Sequence, residues 1–111
     1  MDNFKNDRYY LEKILKDLSF ILAHTERMTK ETFTENEILI DSVLFRLIQV
    51  SENSDRLTEN FRMWHDNIPW HAMKGMRNRI VHEYGDVDLT IIYDTVTQDL
   101  PKLYADLKIL L

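Results

Sequence analysis

Apolar residues return at three- and four-residue steps through nearly the whole chain, and that period admits few folds. Leu11, Ile14, Leu15, Leu18, Ile21 and Leu22 mark one face of a helix expected from about Asp7 to Met28, with Lys13, Lys16 and Asp17 on its other faces. Ile40, Val43, Leu44, Leu47, Val50, Leu57 and Phe61 repeat the pattern, interrupted at Ser51 and Ser54, whose small side chains let another helix come close. Thr34, with Glu37 three residues later, fits a capping box opening this second helix. Trp70, Met73, Met76 and Ile80, bordered by Val81, form a third stripe. Leu89, Ile92, Val96, Leu100, Leu103, Leu107 and Leu110 form the last. Two glycines and two prolines supply too little turn chemistry for a hairpin-rich sheet. Pro69 suits the first turn of the third helix, Gly85 its C-cap, and Asp86 or Asp88 the N-cap of the last. Pro101 removes a donor inside the last stripe and clashes with the carbonyl of Thr97, so a kink or a split is expected there. The pattern predicts one all-α domain over residues 1–111, an antiparallel up-down four-helix bundle. Ile91, Tyr93 and Tyr104 lie off the last stripe, which suggests a partner surface.

Several function classes drop out. With no cysteine, disulfides and thiolate chemistry are excluded, consistent with a cytoplasmic protein. No apolar run approaches the roughly 20 residues that span a bilayer, and the polar N-terminus lacks a signal-peptide core. His65 and His71 are six apart, neither i+3 nor i+4, and no H-E-x-x-H occurs, so neither a metal site nor a cofactor is expected. His24 is expected to be a cap-region histidine. The segment Met63–Trp70 reads as a connector whose tryptophans, Trp64 and Trp70, plug the end of the bundle rather than stack on bases. A net charge of −5 opposes generic nucleic-acid binding, although Lys74, Arg77 and Arg79 form a local basic concentration.

The chemistry concentrates in Gly75-Met76-Arg77-Asn78-Arg79-Ile80-Val81-His82-Glu83-Tyr84. On a helix at about 100° per residue, Lys74, Asn78 and His82 form a row, while Arg79 and Glu83 can pair in solvent. Arg77 and Tyr84, seven apart, fall nearly in register within the apolar sector, so Arg77 requires an anionic partner or ligand. Arg77-x4-His82, with Asn78 after the arginine, resembles the signature of the HEPN superfamily, and His82-x-Tyr84 resembles its HepT-like branch. The likeness extends through Ile68-Pro69-Trp70, Val87-Asp88-Leu89 and Asp99-Leu100-Pro101, more than a third of the chain. In HepT-like chains an I-G-E-A element corresponds to Val50-Ser51-Glu52-Asn53, where only Glu52 keeps its type. The resemblance gives Glu52 a supporting role near the site; the residue alone reads as a solvated surface glutamate.

An arginine and a histidine suffice for transesterification at an RNA phosphodiester, because RNA supplies its own 2′-OH nucleophile. Histidine, with an ordinary pKa of about 6.5, transfers protons near neutrality. Arginine holds two phosphoryl oxygens in a planar fork. Asn78 is placed to orient the imidazole or to contact phosphate, and Lys74 adds charge. The directions of Arg77 and His82 differ by about 140° on one helix. Arginine's reach, a local distortion or a second protomer could each close that gap, and the resemblance implies the third, a homodimer with a composite cleft. It also implies a metal-independent toxin ribonuclease, opposed by an MntA-type nucleotidyltransferase antitoxin that transfers AMP to Tyr84. The other reading is a non-catalytic HEPN module that binds nucleotide, RNA or a nucleotidyltransferase. In the bland alternative, Arg77 makes an ion pair inside the bundle and His82 caps it.

Overall fold

The computed structural model describes residues 3–111, with side chains from Asn6 onward, and these residues are all-α. Helix α1 (Asn3–Thr25) buries Leu11, Ile14, Leu15, Leu18 and Ile21, the stripe read from the sequence. It ends three residues short of Met28, because a short helix, α2 (Lys30–Thr34), starts at its own capping box of Thr29 and Thr32. The box expected at Thr34 and Glu37 is therefore absent: Thr34 turns its hydroxyl back to the Glu31 carbonyl. Asn36 caps α3 (Glu37–Arg56) instead, accepting from the Leu39 amide at 3.0 Å. Phe33 anchors α2 in the core, fully buried. An apolar residue inside a threonine-rich stretch was the signal for this helix.

The second stripe, expected to run on through Leu57 and Phe61, is split: α3 stops at Arg56, and a separate short helix, α4 (Glu59–Trp64), starts at the N-cap Thr58 and ends just inside the expected connector. The buried Asp7 carboxylate of α1 accepts from both the amide and the hydroxyl of Thr58, each at 2.7 Å, and so ties α4 to the first helix. Asp7→Ala should lower stability by about 1–3 kcal/mol, because it removes two hydrogen bonds to a carboxylate from the start of α4. Urea denaturation of the variant checks this, and an unchanged midpoint would contradict the tie.

Pro69 stands just before α5 (Trp70–His82) rather than within its first turn. Gly85 is not the C-cap: α5 ends at His82, and Tyr84–Asp86 form a 3-10 turn with no positive φ at the glycine. Asp88 does cap α6 (Leu89–Asp94), accepting from the amides of Thr90 and Ile91. Helical winding then runs unbroken through Pro101 into α7 (Leu100–Lys108). The adjustment lies just upstream, where Thr95–Asp99 wind as a π turn and the Leu100 amide reaches back five residues to Thr95. Since proline lacks an N–H, a local change of hydrogen-bond register is one way to accommodate it without ending the helix. Tyr93 is not part of an open surface, because its hydroxyl donates to the Met28 carbonyl at 3.0 Å and its ring tilts against Phe33.

Helix α1 packs against α3 on one side and against the π turn and α7 on the other, while α5 packs against α3. Between α5 and the last helical run opens a groove of about 500 Å³, floored by Leu47, Val50, Met73, Met76, Leu100 and Leu103. Arg46 secures the α1–α3 contact by bonding Asp17 at 2.8 Å and lying 3.6 Å over the Phe20 ring. Burial raises the Asp17 carboxyl above its ordinary pKa, and the charge and hydrogen bond of Arg46 pull it partly back. No helix among the described residues is long and apolar enough to cross a membrane.

Candidate active site

Helix α5 is docked by Met73 and Ile80, both buried, with Trp70 and Met76 half-buried against the core. Its thirteen residues include Lys74, Arg77, Arg79, His71 and His82 and not one acid, in a chain with five more acidic than basic side chains. With three of the chain's fourteen Lys and Arg residues and no acid beside them, α5 is locally basic on an acidic molecule.

Arg77 has found the anionic partner its position demanded. Its Nε donates to Glu52 of α3 at 2.8 Å, and its Nη1 donates to the side-chain oxygen of Asn78 at 3.1 Å. The side chains of Arg77 and Glu52 are 34% and 41% exposed, so the pair is screened and its own contribution to stability is about 0–1 kcal/mol. Its geometric effect is larger, because anchoring Nε fixes the plane of the fork. Nη2 makes no hydrogen bond among the described residues and remains available to an incoming oxyanion. Ser51 and Asn53 on either side of Glu52 are buried, which explains how one residue of that element reaches α5 while its neighbours face the core.

The Lys74–Asn78–His82 row is only partly a unit. Asn78 gives its side-chain oxygen to Arg77, so that oxygen is not what orients His82. Lys74 and His82 are exposed and have no side-chain partner among the described residues, and His82 is the last residue of α5. Arg79 and Glu83 form no ion pair; Glu83 is the C-cap, its amide donating to the Arg79 carbonyl while both side chains stand in solvent. Tyr84 departs most from expectation. The helix stops before it, and its phenol donates at 3.5 Å to Asp41 of α3 instead of standing beside Arg77. Asp41 and Glu52 are eleven residues apart on α3, about 16 Å along the helix axis.

Those two cross-contacts mark a single flank. Ile38, Asp41, Phe45, Ile48 and Glu52 recur at three- and four-residue steps, so they share one face of α3. Glu52 meets Arg77 on that face and Asp41 meets Tyr84, with the exposed Phe45 spaced between them and Val81 exposed on α5. The groove between α5 and α7 takes in neither Arg77 nor His82. Among the described residues no three His, Asp or Glu side chains converge in a way that could hold a metal ion, so His65 and His71 belong to no such cluster. Trp70 does close the bundle end, its indole N–H donating to the carbonyls of Arg62 and His65. Trp64 does not, being 78% exposed.

Known proteins with similar sequences agree about the kind of domain this is. A Caldanaerobacter subterraneus subsp. tengcongensis protein named "Putative RNase" is 31% identical, over 94% of this chain and 93% of its own length. A Methanocaldococcus jannaschii protein named "Gamma-glutamylcyclotransferase and putative RNase" is 32% identical over 93% of this chain, which corresponds to 46% of that protein. A Thermococcus cleftensis protein named "Probable ribonuclease HepT" is 29% identical over 89% of this chain and 90% of its own. No solved structure matches the chain. The HepT-like family model, described as ribonuclease HepT-like, matches residues 14–110, and the chain belongs to that family.

Proposed function

We propose that this protein is a metal-independent endoribonuclease, the toxin half of a toxin–antitoxin pair, acting as a homodimer. The observation that carries the reading is the acid-free helix α5, with Arg77 braced by Glu52 and, five residues on, an exposed His82 that has no side-chain partner among the described residues. In the proposed reaction the 2′-oxygen of the substrate attacks the adjacent phosphorus and the bond to the 5′-oxygen breaks. The products carry a 2′,3′-cyclic phosphate and a 5′-hydroxyl. Arg77 holds the phosphoryl oxygens, supported by Asn78 and Lys74, and Glu52 sets its fork. His82 moves the proton, and two copies of it supply the base for the 2′-OH and the acid for the leaving oxygen. Such a division suits a helix on which Arg77 and His82 point about 140° apart.

In this reading the four long helical runs form an antiparallel up-down bundle, open along the seam between α5 and the last run and bent where the π turn precedes Pro101. The second copy seats on the flank of Ile38, Phe45, Ile48 and Val81, apolar positions rimmed by Asp41, Glu52 and Arg77, since a two-fold contact is the commonest way to close such a surface. Transfer of AMP to Tyr84 by a nucleotidyltransferase antitoxin, at the edge of the same flank, silences the enzyme. Engagement of Arg77 by Glu52 favours a second reading, a binding module without catalysis. Incubating the purified protein with single-stranded RNA in excess chelator separates the two: cleavage with cyclic-phosphate ends is expected, and intact RNA leaves only the binding module. Light scattering should give a dimer at micromolar concentration. A monomer throughout that range would remove the composite cleft.

A further inference from the structure

We infer that Trp64 is a stacking platform for a base of single-stranded RNA, lying beyond the N-terminal end of α5. The inference rests on the ribonuclease reading and gives its substrate a direction along the protein. A six-residue helix has little stability of its own, and α4 is held from outside. Asp7 and Thr58 fix its start. The Arg62 guanidinium donates through Nη1 to the carbonyls of Ser54, Asp55 and Leu57 at 2.9, 3.2 and 2.6 Å. Phe61 packs between His65 and the edge of Trp70. An element anchored this firmly, with Phe61 turned inward, leaves its other two apolar side chains outside, Trp64 at 78% exposure and Met63 at 65%. The Trp64 indole N–H has no partner among the described residues, whereas the Trp70 indole is fully engaged.

The position of Trp64 points to nucleic acid. The two carbonyls that accept from Trp70 belong to Arg62 and His65, so Trp64 sits between them, at the start of α5. Arg77 is seven residues further along that helix, about 10 Å. A strand with its reacting phosphate at Arg77 runs over Lys74 and the acid-free surface of α5 and reaches α4 within a few nucleotides. Acids do lie near the platform, Glu59 and Asp66 being exposed. A stacked base tolerates them better than a phosphate would, because stacking uses the neutral π-face, and every base has one. A platform without hydrogen-bond readout adds affinity for unpaired RNA with little sequence preference.

The test uses a single-stranded 2′-O-methyl RNA oligonucleotide, which lacks the nucleophile and so binds without being cut. Titration should quench tryptophan emission in the wild type, and most of the quenching should be lost in Trp64→Phe, where only the half-buried Trp70 remains. Trp64→Ala should weaken binding by about 5- to 150-fold, with Trp64→Phe recovering most of it. On cleavable RNA the alanine variant should raise KM and leave kcat for short substrates nearly unchanged. Unchanged affinity in Trp64→Ala overturns the platform while leaving the nuclease reading intact. Loss of the dimer in that variant also overturns it, assigning Trp64 to a protein contact. Wild-type protein that binds with quenching of Trp64 yet never cuts RNA supports the platform and removes the nuclease reading.

Discussion

His82→Ala is expected to lower RNA cleavage by about 10²- to 10⁴-fold while leaving the thermal midpoint and the helical circular dichroism unchanged. The loss is the range for a positioned proton-transfer group. The neutrality in stability follows from the site: His82 is exposed, ends α5 and bonds to no other side chain among the described residues. Arg77→Ala should cost about 10²- to 10³-fold, as for other groups that stabilise transition-state charge. It leaves Glu52 without its partner, but both side chains reach water, so the stability change should stay within about 1 kcal/mol. Arg77→Lys should recover stability but little activity, since an ammonium cannot hold Glu52 and a phosphoryl oxygen through one planar fork. Initial rates in chelator, read beside thermal melts, check all three. Cleavage that survives either alanine substitution places the activity elsewhere. Joint loss of activity and fold would make Arg77 a bundle brace, the alternative that the Glu52 contact keeps in view.

Adenylylation of Tyr84 should abolish cleavage without unfolding the protein. Tyr84 is 48% exposed, and its single hydrogen bond, to Asp41, is long at 3.5 Å, so its oxygen is open to attack the α-phosphate of ATP with release of pyrophosphate. On a continuous helix Tyr84 would lie on the Arg77 side, and the added phosphate would compete directly for the guanidinium. With Tyr84 in the 3-10 turn past the end of α5 and bonded to Asp41, inhibition takes another form. A phosphodiester beside Asp41 adds like charge, and the nucleoside adds bulk, at the rim of the flank proposed to seat the second copy. The modified protein should therefore lose both cleavage and self-association. Intact-mass analysis after incubation with the nucleotidyltransferase, ATP and magnesium reads the modification, and light scattering of the product reads the dimer. Tyr84→Phe should stay active and unmodified; adenylate found on that variant would falsify the assignment.

The helices that the sequence revealed are those whose stripes are long. Four of them appear because burying Leu18, Val43, Ile80 or Leu103 is a property of periodicity, and a stripe of ten or more residues has one way to face a core. The need of Arg77 for a counter-charge was legible too, since a guanidinium within an apolar sector demands one whatever the fold. Tertiary structure alone decided which counter-charge. Glu52 lies 25 residues away in sequence, and only the packing of α3 on α5 makes it the partner. Packing likewise governed the two short helices, α2 and α4, whose stability comes from the burial of Phe33 and from the contacts of Asp7 and Arg62 rather than from a local period. It also governed the ends of elements. Capping is a competition among neighbouring polar groups: Thr29 forms its box before Thr34 can, and α5 ends at His82, leaving Tyr84 to Asp41. A one-dimensional reading places a side chain on a helix face; where that helix stops depends on which distant groups are close enough to satisfy its last amides and carbonyls.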